Sequence, residues 1–231
     1  MNRRTRVRFV LLTAALMFSA AALGGCGSPT SNTGADTSAT NSSSTGSQST
    51  SSAQEDGLYT PTYKVNGSET ATIKTSKGTI KVKFYSKDAP IATANFIELA
   101  QKGFYNGIKF HRYVAGFVIQ GGDPQTKSAS SQDVAAADAG NTNQFGTGGP
   151  GYTIKDEYAS NPNKHVDGAL AMARTGAPDS GGSQFYFALA PLTQLDGKYT
   201  VFGQATSGLD VIHKLRAGDV IESVTIENAS K

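Results

Sequence analysis

The residues best suited to chemistry in this 231-residue chain gather in one stretch, Phe110 to Pro124, FHRYVAGFVIQGGDP. Two short apolar runs of β type flank the corner Ala115-Gly116 and carry Arg112 and Gln120. Successive strand side chains point to opposite faces. That alternation puts Phe110, Arg112 and Val114 on one face of the first run; in the second, Phe117 and Ile119 share a face, with Val118 and Gln120 on the other. An unpaired buried polar group costs about 1 to 3 kcal/mol, so Arg112 and Gln120 are expected to face something outside the core. A guanidinium and an amide beside apolar side chains suit a reaction that makes and breaks no covalent bond.

Other chemistries find less support. His111, His165 and His213 lie apart, without metal-ligand spacing or a carboxylate partner pattern. Gly146, Gly148 and Gly151 satisfy G-x-G-x-x-G, but Pro150 interrupts the motif and a strand-like YTIKDEY follows where a dinucleotide site needs a helix. Ser183 lacks the second glycine of a nucleophile elbow. Asp156 and Glu157 are adjacent, point apart on a strand and read as an exposed rim. Neither a metal nor a cofactor is expected.

The elements that must position Arg112 and Gln120 begin after a distinct front end. Arg3, Arg4, Arg6 and Arg8 precede an apolar run, Phe9 to Leu23, that is too short to cross a bilayer core of ~30 Å as a helix. Residues 1–25 read as a secretory signal peptide, and Leu23-Gly24-Gly25-Cys26 resembles the lipobox of bacterial lipoproteins, in which the cysteine is acylated (palmitate) and becomes the N-terminus. Cys26 is the one cysteine in the chain, so no disulfide is expected. Residues 26–57 form a polar tract in which sixteen of the 27 residues from Ser28 to Gln54 are Ser or Thr. Such a tract buries too little apolar surface to offset ordering and reads as a disordered tether. The leader holds four of the 21 Lys and Arg and none of the 18 acids, so the remainder carries a net charge of 17 − 18 = −1. The basic balance belongs to the leader and argues for no nucleic-acid partner.

Residues 58–231 read as the folded domain. ATIKTSKGTIKVKFYS gives a hairpin turning at Ser76-Lys77-Gly78, with Ile80, Val82 and Phe84 inward. A helix follows Asp88-Ala89-Pro90, with Asp88 as its cap, an apolar stripe of Ile91, Phe96 and Leu99, and a stop at Gly103. Residues 125–145, polar and without period, read as a long surface loop and a candidate rim of the binding groove. Strands fit Ala169–Ala173, Phe185–Leu189 and Tyr199–Gln204. A second helix fits Gly208–Arg216, with Leu209, Ile212 and Leu215 on one side, and a last strand at Ile221–Ile226 is expected to pair with the first. The spacing favours a mainly β, closed antiparallel barrel.

Roughly Thr70 to Glu227 resembles the cyclophilin-type peptidyl-prolyl isomerases. The resemblance rests on FHR, GF and QGGD within the first stretch, then GTGGPGY (146–152), GALAMARTG (168–176), GGSQFYF (181–187) and LDGKYTVFG (195–203), all in the family's order. It implies an eight-stranded barrel capped by two helices and rotation about X-Pro bonds without a cofactor. Arg112 and Gln120 are then the catalytic residues. Phe117, Val118, Gly146, Ala173, Arg174 (through its backbone), Gln184, Tyr186, Leu195 and Tyr199 bind the peptide, and Phe185 belongs to the core. A satisfied structural role is expected of His111. Gln194 and Tyr199 stand where the best-studied eukaryotic members have Trp and His, which lowers the expected cyclosporin affinity. The combined expectation is a monomeric isomerase, lipid-anchored through Cys26 outside the cytoplasmic membrane and acting on unfolded or exported proline-containing polypeptides. A non-catalytic proline-peptide binding module or chaperone is the alternative.

Overall fold

The computed structural model describes residues 57–228; the leader, Cys26 and the tether up to residue 56 lie outside them. The hairpin forms as its sequence dictates. β1 (Thr70–Thr75) and β2 (Gly78–Phe84) turn at Ser76-Lys77, and Ile80, Val82 and Phe84 are buried between exposed Lys81 and Lys83. The remaining elements are α1 (Pro90–Gln101), β3 (Arg112–Val114), β4 (Val118–Gly121), α2 (Ser131–Ala139), β5 (Ala169–Met172), β6 (Phe185–Ala188), β7 (Val201–Ser207), α3 (Leu209–Lys214) and β8 (Ile221–Glu227). The eight strands form one antiparallel sheet in the order β3-β4-β6-β5-β7-β2-β1-β8, the last strand pairing with the first in sequence.

This sheet curls around its core. Its edge strands β3 and β8 do not pair with each other; backbone bonds link the residues just before them instead, Phe110 N–H to Asp219 O (2.9 Å) and Gly218 N–H to Phe110 O (2.8 Å). Period-two alternation sorts the side chains. Ile119, Leu170, Phe185, Phe187 and Phe202 face the interior, while Val118, Ala171, Tyr186, Ala188 and Val201 form a second cluster on the opposite face. Phe185 is thus a core residue. Each fully buried large apolar side chain contributes about 1.5 to 3 kcal/mol, and the second cluster gives the outer face a rigid floor.

The helices depart from the sequence reading in instructive ways. α1 is capped neither by Asp88 nor by its own N-cap residue, Ala89. Pro90 has no N–H to offer, and the next two amides, of Ile91 and Ala92, donate to the Glu157 carboxylate at 2.9 Å each. Glu157 is therefore a helix cap rather than part of an exposed rim. α1 is also not amphipathic: every residue from Ala92 to Ala100 is buried, because the helix is enclosed on all sides. In α3 the buried side chains are Val211 and Ile212, followed by Leu215, whereas Leu209 is 41% exposed.

The largest correction concerns residues 125–145, which are not a plain loop. Pro124–Lys127 form a 3-10 turn, and α2 follows with the Ser130 side chain accepting from the Asp133 N–H. Alanine favours the helix, but only Val134 and Ala137 are buried, too few to print a period on the sequence. The segment is pinned at both ends. The Thr126 hydroxyl accepts from the Lys109 N–H (2.9 Å), and the Asp138 carboxylate accepts from the Tyr113 N–H of edge strand β3 (3.2 and 3.3 Å). That second contact satisfies a donor that an open sheet edge would otherwise present to another chain.

Candidate active site

Strand register assembles the site. Arg112 lies opposite Gln120, Gln120 opposite Tyr186, Tyr186 opposite Ala171 and Ala171 opposite Val201, a row across five strands. Above its first members opens a pocket of about 260 Å³, lined by Arg112, Phe117, Val118, Gln120, Ala173, Arg174, Tyr186, Leu195 and Tyr199. Gln184 and Gly146 line an adjoining depression that shares Gln120, Ala173 and Arg174 with it. The residues named from the sequence therefore line one pocket and its neighbour, with one change of face. Phe117 packs beside Val118 on the outer cluster, not with Ile119 in the core. It precedes β4, in the corner, and so escapes the strand alternation; its carbonyl accepts from the Leu189 N–H (2.8 Å). Phe110 likewise precedes β3 and is fully buried, while Arg112 and Val114 are exposed.

The Arg112 guanidinium lies 5.8 Å from the Phe117 ring centre, and among the described residues no carboxylate forms an ion pair with it. Gln120 is oriented by a relay: its Nε2 donates to Gln184 Oε1 (2.9 Å), and Gln184 Nε2 donates to the Gly148 carbonyl (2.8 Å). That leaves the Gln120 carbonyl turned to acceptor work. His111, behind Arg112, is buried, and both ring nitrogens lack a hydrogen-bond partner, contrary to the satisfied role expected of it. Burial lowers its pKa to about 4; the nearby Asp123 charge and the Gln184 amide oppose this, and Arg112 reinforces it.

Three supports were invisible in the sequence. The fully buried Asp123 carboxylate accepts from the N–H groups of Gln125 (2.8 Å), Gly146 (2.5 Å) and Gly148 (3.3 Å), so the helical segment leaves and returns to one anchor. A Cβ on Gly148 would lie 2.1 Å from Asp123 Oδ1, which requires glycine there. Beneath the pocket floor, His165 Nε2 and the Tyr186 hydroxyl are hydrogen-bonded at 2.9 Å, and His165 Nδ1 meets Asp196 Oδ1 at 2.9 Å. Burial lowers the His165 pKa while the Asp196 carboxylate resists that shift, and burial pushes the Tyr186 hydroxyl up. His213 also has a carboxylate partner, Asp167 (2.9 Å). These partners lie 31 and 46 residues away, beyond the reach of any local pattern.

Arg174 carries the third support. Its guanidinium donates to the carbonyls of Lys198 (2.8 Å), Thr175 (3.0 Å) and Ala177 (3.3 Å) and approaches Asp156 Oδ2 (3.7 Å). It also lies over the rings of Tyr199 (5.0 Å) and Tyr158 (5.1 Å). Asp156, read from sequence as exposed rim, is instead tied into this network and exchanges backbone-to-carboxylate bonds with Asp179 (2.7 and 2.8 Å). Among the described residues no group of three or more His, Cys, Asp or Glu side chains is placed to hold a metal ion. What the site offers is an apolar pocket with one uncommitted guanidinium, that of Arg112, and one amide carbonyl at its edge.

Residues 70–231 match the family described as cyclophilin type peptidyl-prolyl cis-trans isomerase/CLD. The chain is 46% identical over 175 residues to a peptidyl-prolyl cis-trans isomerase of Helicobacter pylori (strain ATCC 700392 / 26695), covering 73% of this chain and 96% of the relative. It is 44% identical over 148 residues to peptidyl-prolyl cis-trans isomerase B of Bacillus subtilis (strain 168), covering 64% and 90%. Among solved structures it resembles a Cryptosporidium parvum cyclophilin type peptidyl-prolyl cis-trans isomerase, with a TM-score of 0.55 at 27% identity over 70% of this chain and 99% of that one.

Proposed function

Because the chain belongs to the cyclophilin-type peptidyl-prolyl cis-trans isomerase family and is an isomerase of that kind, we propose that it turns X-Pro bonds by non-covalent stabilisation of the twisted amide, with Arg112 as the principal donor. The single observation carrying this reading is the Arg112 guanidinium, unpaired by any described carboxylate, at the edge of a pocket walled by Phe117, Val118, Tyr186 and Leu195. Rotation about the peptide bond crosses about 18 to 20 kcal/mol because conjugation is lost. In the twisted state the proline nitrogen regains a lone pair and accepts a hydrogen bond that the planar ground state does not. A donor there binds the transition state better than the substrate, which is the condition for catalysis. The apolar walls receive the proline ring, and the twisted amide, being less polar than the planar one, loses less there. The Gln120 carbonyl, held by Gln184, orients the peptide, and the Arg174 backbone pairs with its extended flank.

Magnitudes divide the labour. Uncatalysed isomerisation takes ~10 to 100 s, so a turnover of about 10³ per second needs ~10⁴- to 10⁵-fold acceleration, or about 5 to 7 kcal/mol. One charge-assisted hydrogen bond supplies about 1.5 to 3 kcal/mol, so pocket and positioning carry the remainder. The substrates in this reading are unfolded or exported proline-containing polypeptides. The protein meets them outside the cytoplasmic membrane, held by a lipid on Cys26, which lies beyond the described residues. The Cryptosporidium relative was also crystallised in the presence of the dipeptide ala-pro, which suits a proline-accepting pocket. An exchange NMR assay on an Ala-Pro peptide tests the chemistry. Arg112→Ala should lower kcat/KM at least tenfold while peptide binding falls less; an unchanged rate refutes Arg112 as the donor, and no isomerisation by the wild type favours a binding module. Mass spectrometry of the membrane fraction should find acyl chains on Cys26; an unmodified N-terminus there removes the anchor.

A further inference from the structure

We infer that the helical segment 125–145 builds a second subsite beside the proline pocket, selective for an uncharged hydrogen-bonding side chain (Ser, Thr, Asn or Gln) on the substrate flank that passes Arg112. The inference rests on the isomerase reading above. A separate cavity of about 430 Å³ opens on the far side of Arg112 and shares Arg112 and Gln120 with the proline pocket. Its inner wall is His111, Arg112, Tyr113 and Val114, on and just before edge strand β3; its outer wall is supplied by the end of α2 and the chain after it, Asp138, Asn141 to Asn143, Phe145 and Gly146.

The chemistry of these walls is unlike that of the proline pocket. Asp138 is the one acid and Arg112 the one permanent cation among the lining residues, so their formal charges cancel, and the rest of the polar lining is amide, hydroxyl and the His111 imidazole. Asp138 accepts two long bonds from the Tyr113 N–H (3.2 and 3.3 Å) and keeps lone pairs for an incoming donor. The exposed amides of Asn141 and Asn143 offer both donors and acceptors. A formal charge of either sign would meet one like and one opposite charge in Arg112 and Asp138 and so gain no net attraction for its desolvation, and a bulky apolar side chain would desolvate these groups without pairing them. At the back, His111 is 6% exposed, and neither ring nitrogen makes a well-formed hydrogen bond to the protein.

The walls are held, not draped. Asp138 is bonded to β3, the Thr142 N–H donates to the Ala137 carbonyl (3.0 Å), and the Gly146 N–H is bound to buried Asp123 (2.5 Å). A fixed polar cleft adjoining Arg112 is what a peptide flank leaving the proline pocket on that side encounters.

The experiment compares kcat/KM for Ala-Pro peptides carrying Gln, Leu or Lys at the position before or after the dipeptide, using the full-length protein, Asn141→Gly/Asn143→Ala and Asn143→Leu. Glycine at 141 keeps the positive φ (50°) that Asn141 adopts. The ratio of Gln to Leu peptides within each protein is the readout, so a loss shared by all peptides cancels. The wild type should prefer Gln at one position about fivefold, the effect of one or two neutral hydrogen bonds, and both variants should bring the ratio below about twofold. A wild type active on every peptide but without preference, or a preference that survives in both variants, overturns the subsite and leaves the isomerase reading intact. A preference for Lys overturns the neutral chemistry assigned to it, and inactivity on every peptide overturns the isomerase reading itself.

Discussion

His111 should make the stability of this fold fall steeply with acid. In the folded chain it is 6% exposed, its ring nitrogens lack partners, and its pKa is lowered from 6.5 to about 4, chiefly by burial. The Gln184 amide resists this shift only in part, since it is already committed to Gln120 and to the Gly148 carbonyl. An unfolded imidazole takes up its proton near pH 6.5 and the folded one only near pH 4, so between these values the unfolded state binds more protons. The His111 contribution is therefore complete above pH 6.5 and is lost as pH falls to about 4. At 1.36 kcal/mol per pKa unit, a shift of 6.5 − 4 = 2.5 units corresponds to about 3 kcal/mol. Urea unfolding of wild type and His111→Gln at several pH values between 7.5 and about 4 isolates it, because the other titrating groups cancel in the difference. The wild-type advantage should shrink by about 3 kcal/mol across that window. A difference that stays level, or an NMR titration of the His111 ring near its ordinary value, would refute the argument.

Three further outcomes follow from the supports of the site. Tyr186→Phe removes the partner of His165 Nε2 from a buried position and should cost about 1 to 3 kcal/mol. That is roughly 2 to 10 °C in the midpoint of a calorimetric scan for a domain of this size, with activity largely retained because the ring still floors the pocket. Glu157→Ala leaves two amides at the start of α1 without their carboxylate and should lower stability by about 1 to 2 kcal/mol in urea unfolding at pH 7; a change under a few tenths would show that water replaces the cap. Arg174→Ala frees the rings of Tyr199 and Tyr158 and should raise KM for a proline peptide several-fold with a smaller change in kcat, and Arg174→Lys should not restore it, since a lysine lacks the planar fork that reaches three carbonyls; rescue by lysine would mean that charge alone matters.

Much of the curled sheet was legible because it is written in local pattern, whereas the closed barrel expected of it was not, since β3 and β8 do not pair. The β1–β2 hairpin, with its two-residue turn and alternating lysines, and the strands at 169–172 and 185–188 needed only period and punctuation. The pocket residues were legible through their motifs. Contacts that depend on the chain returning to itself were not. Glu157 caps a helix 66 residues before it, Asp196 reaches His165 across 31 residues, and Asp123 gathers amides 23 and 25 residues on. α2 escaped notice for a different reason: a short alanine-rich helix with two buried residues carries no stripe, and its stability comes from the Ser130 cap and the Asp138 bond to β3. Alternation misplaces Phe117 because it holds only inside a strand, and Phe117 lies just outside one.

Placing the site on the outer face of the curled sheet separates two demands on the same strands. In β6, Phe185 and Phe187 point inward and are fully buried, while Tyr186 and Ala188 between them belong to the outer cluster beneath the pocket. In β4 the same alternation sends Ile119 to the core and leaves Val118 and Gln120 to the pocket. A one-residue slip of either strand would exchange core and pocket residues wholesale, so the hydrophobic effect that fixes register also fixes the line from Arg112 through Gln120 to Tyr186. Rigidity at the pocket floor then comes from the core behind it, and substrate preference can reside in the segment held over its edge, where Asn141 and Asn143 can change without disturbing the alternation beneath.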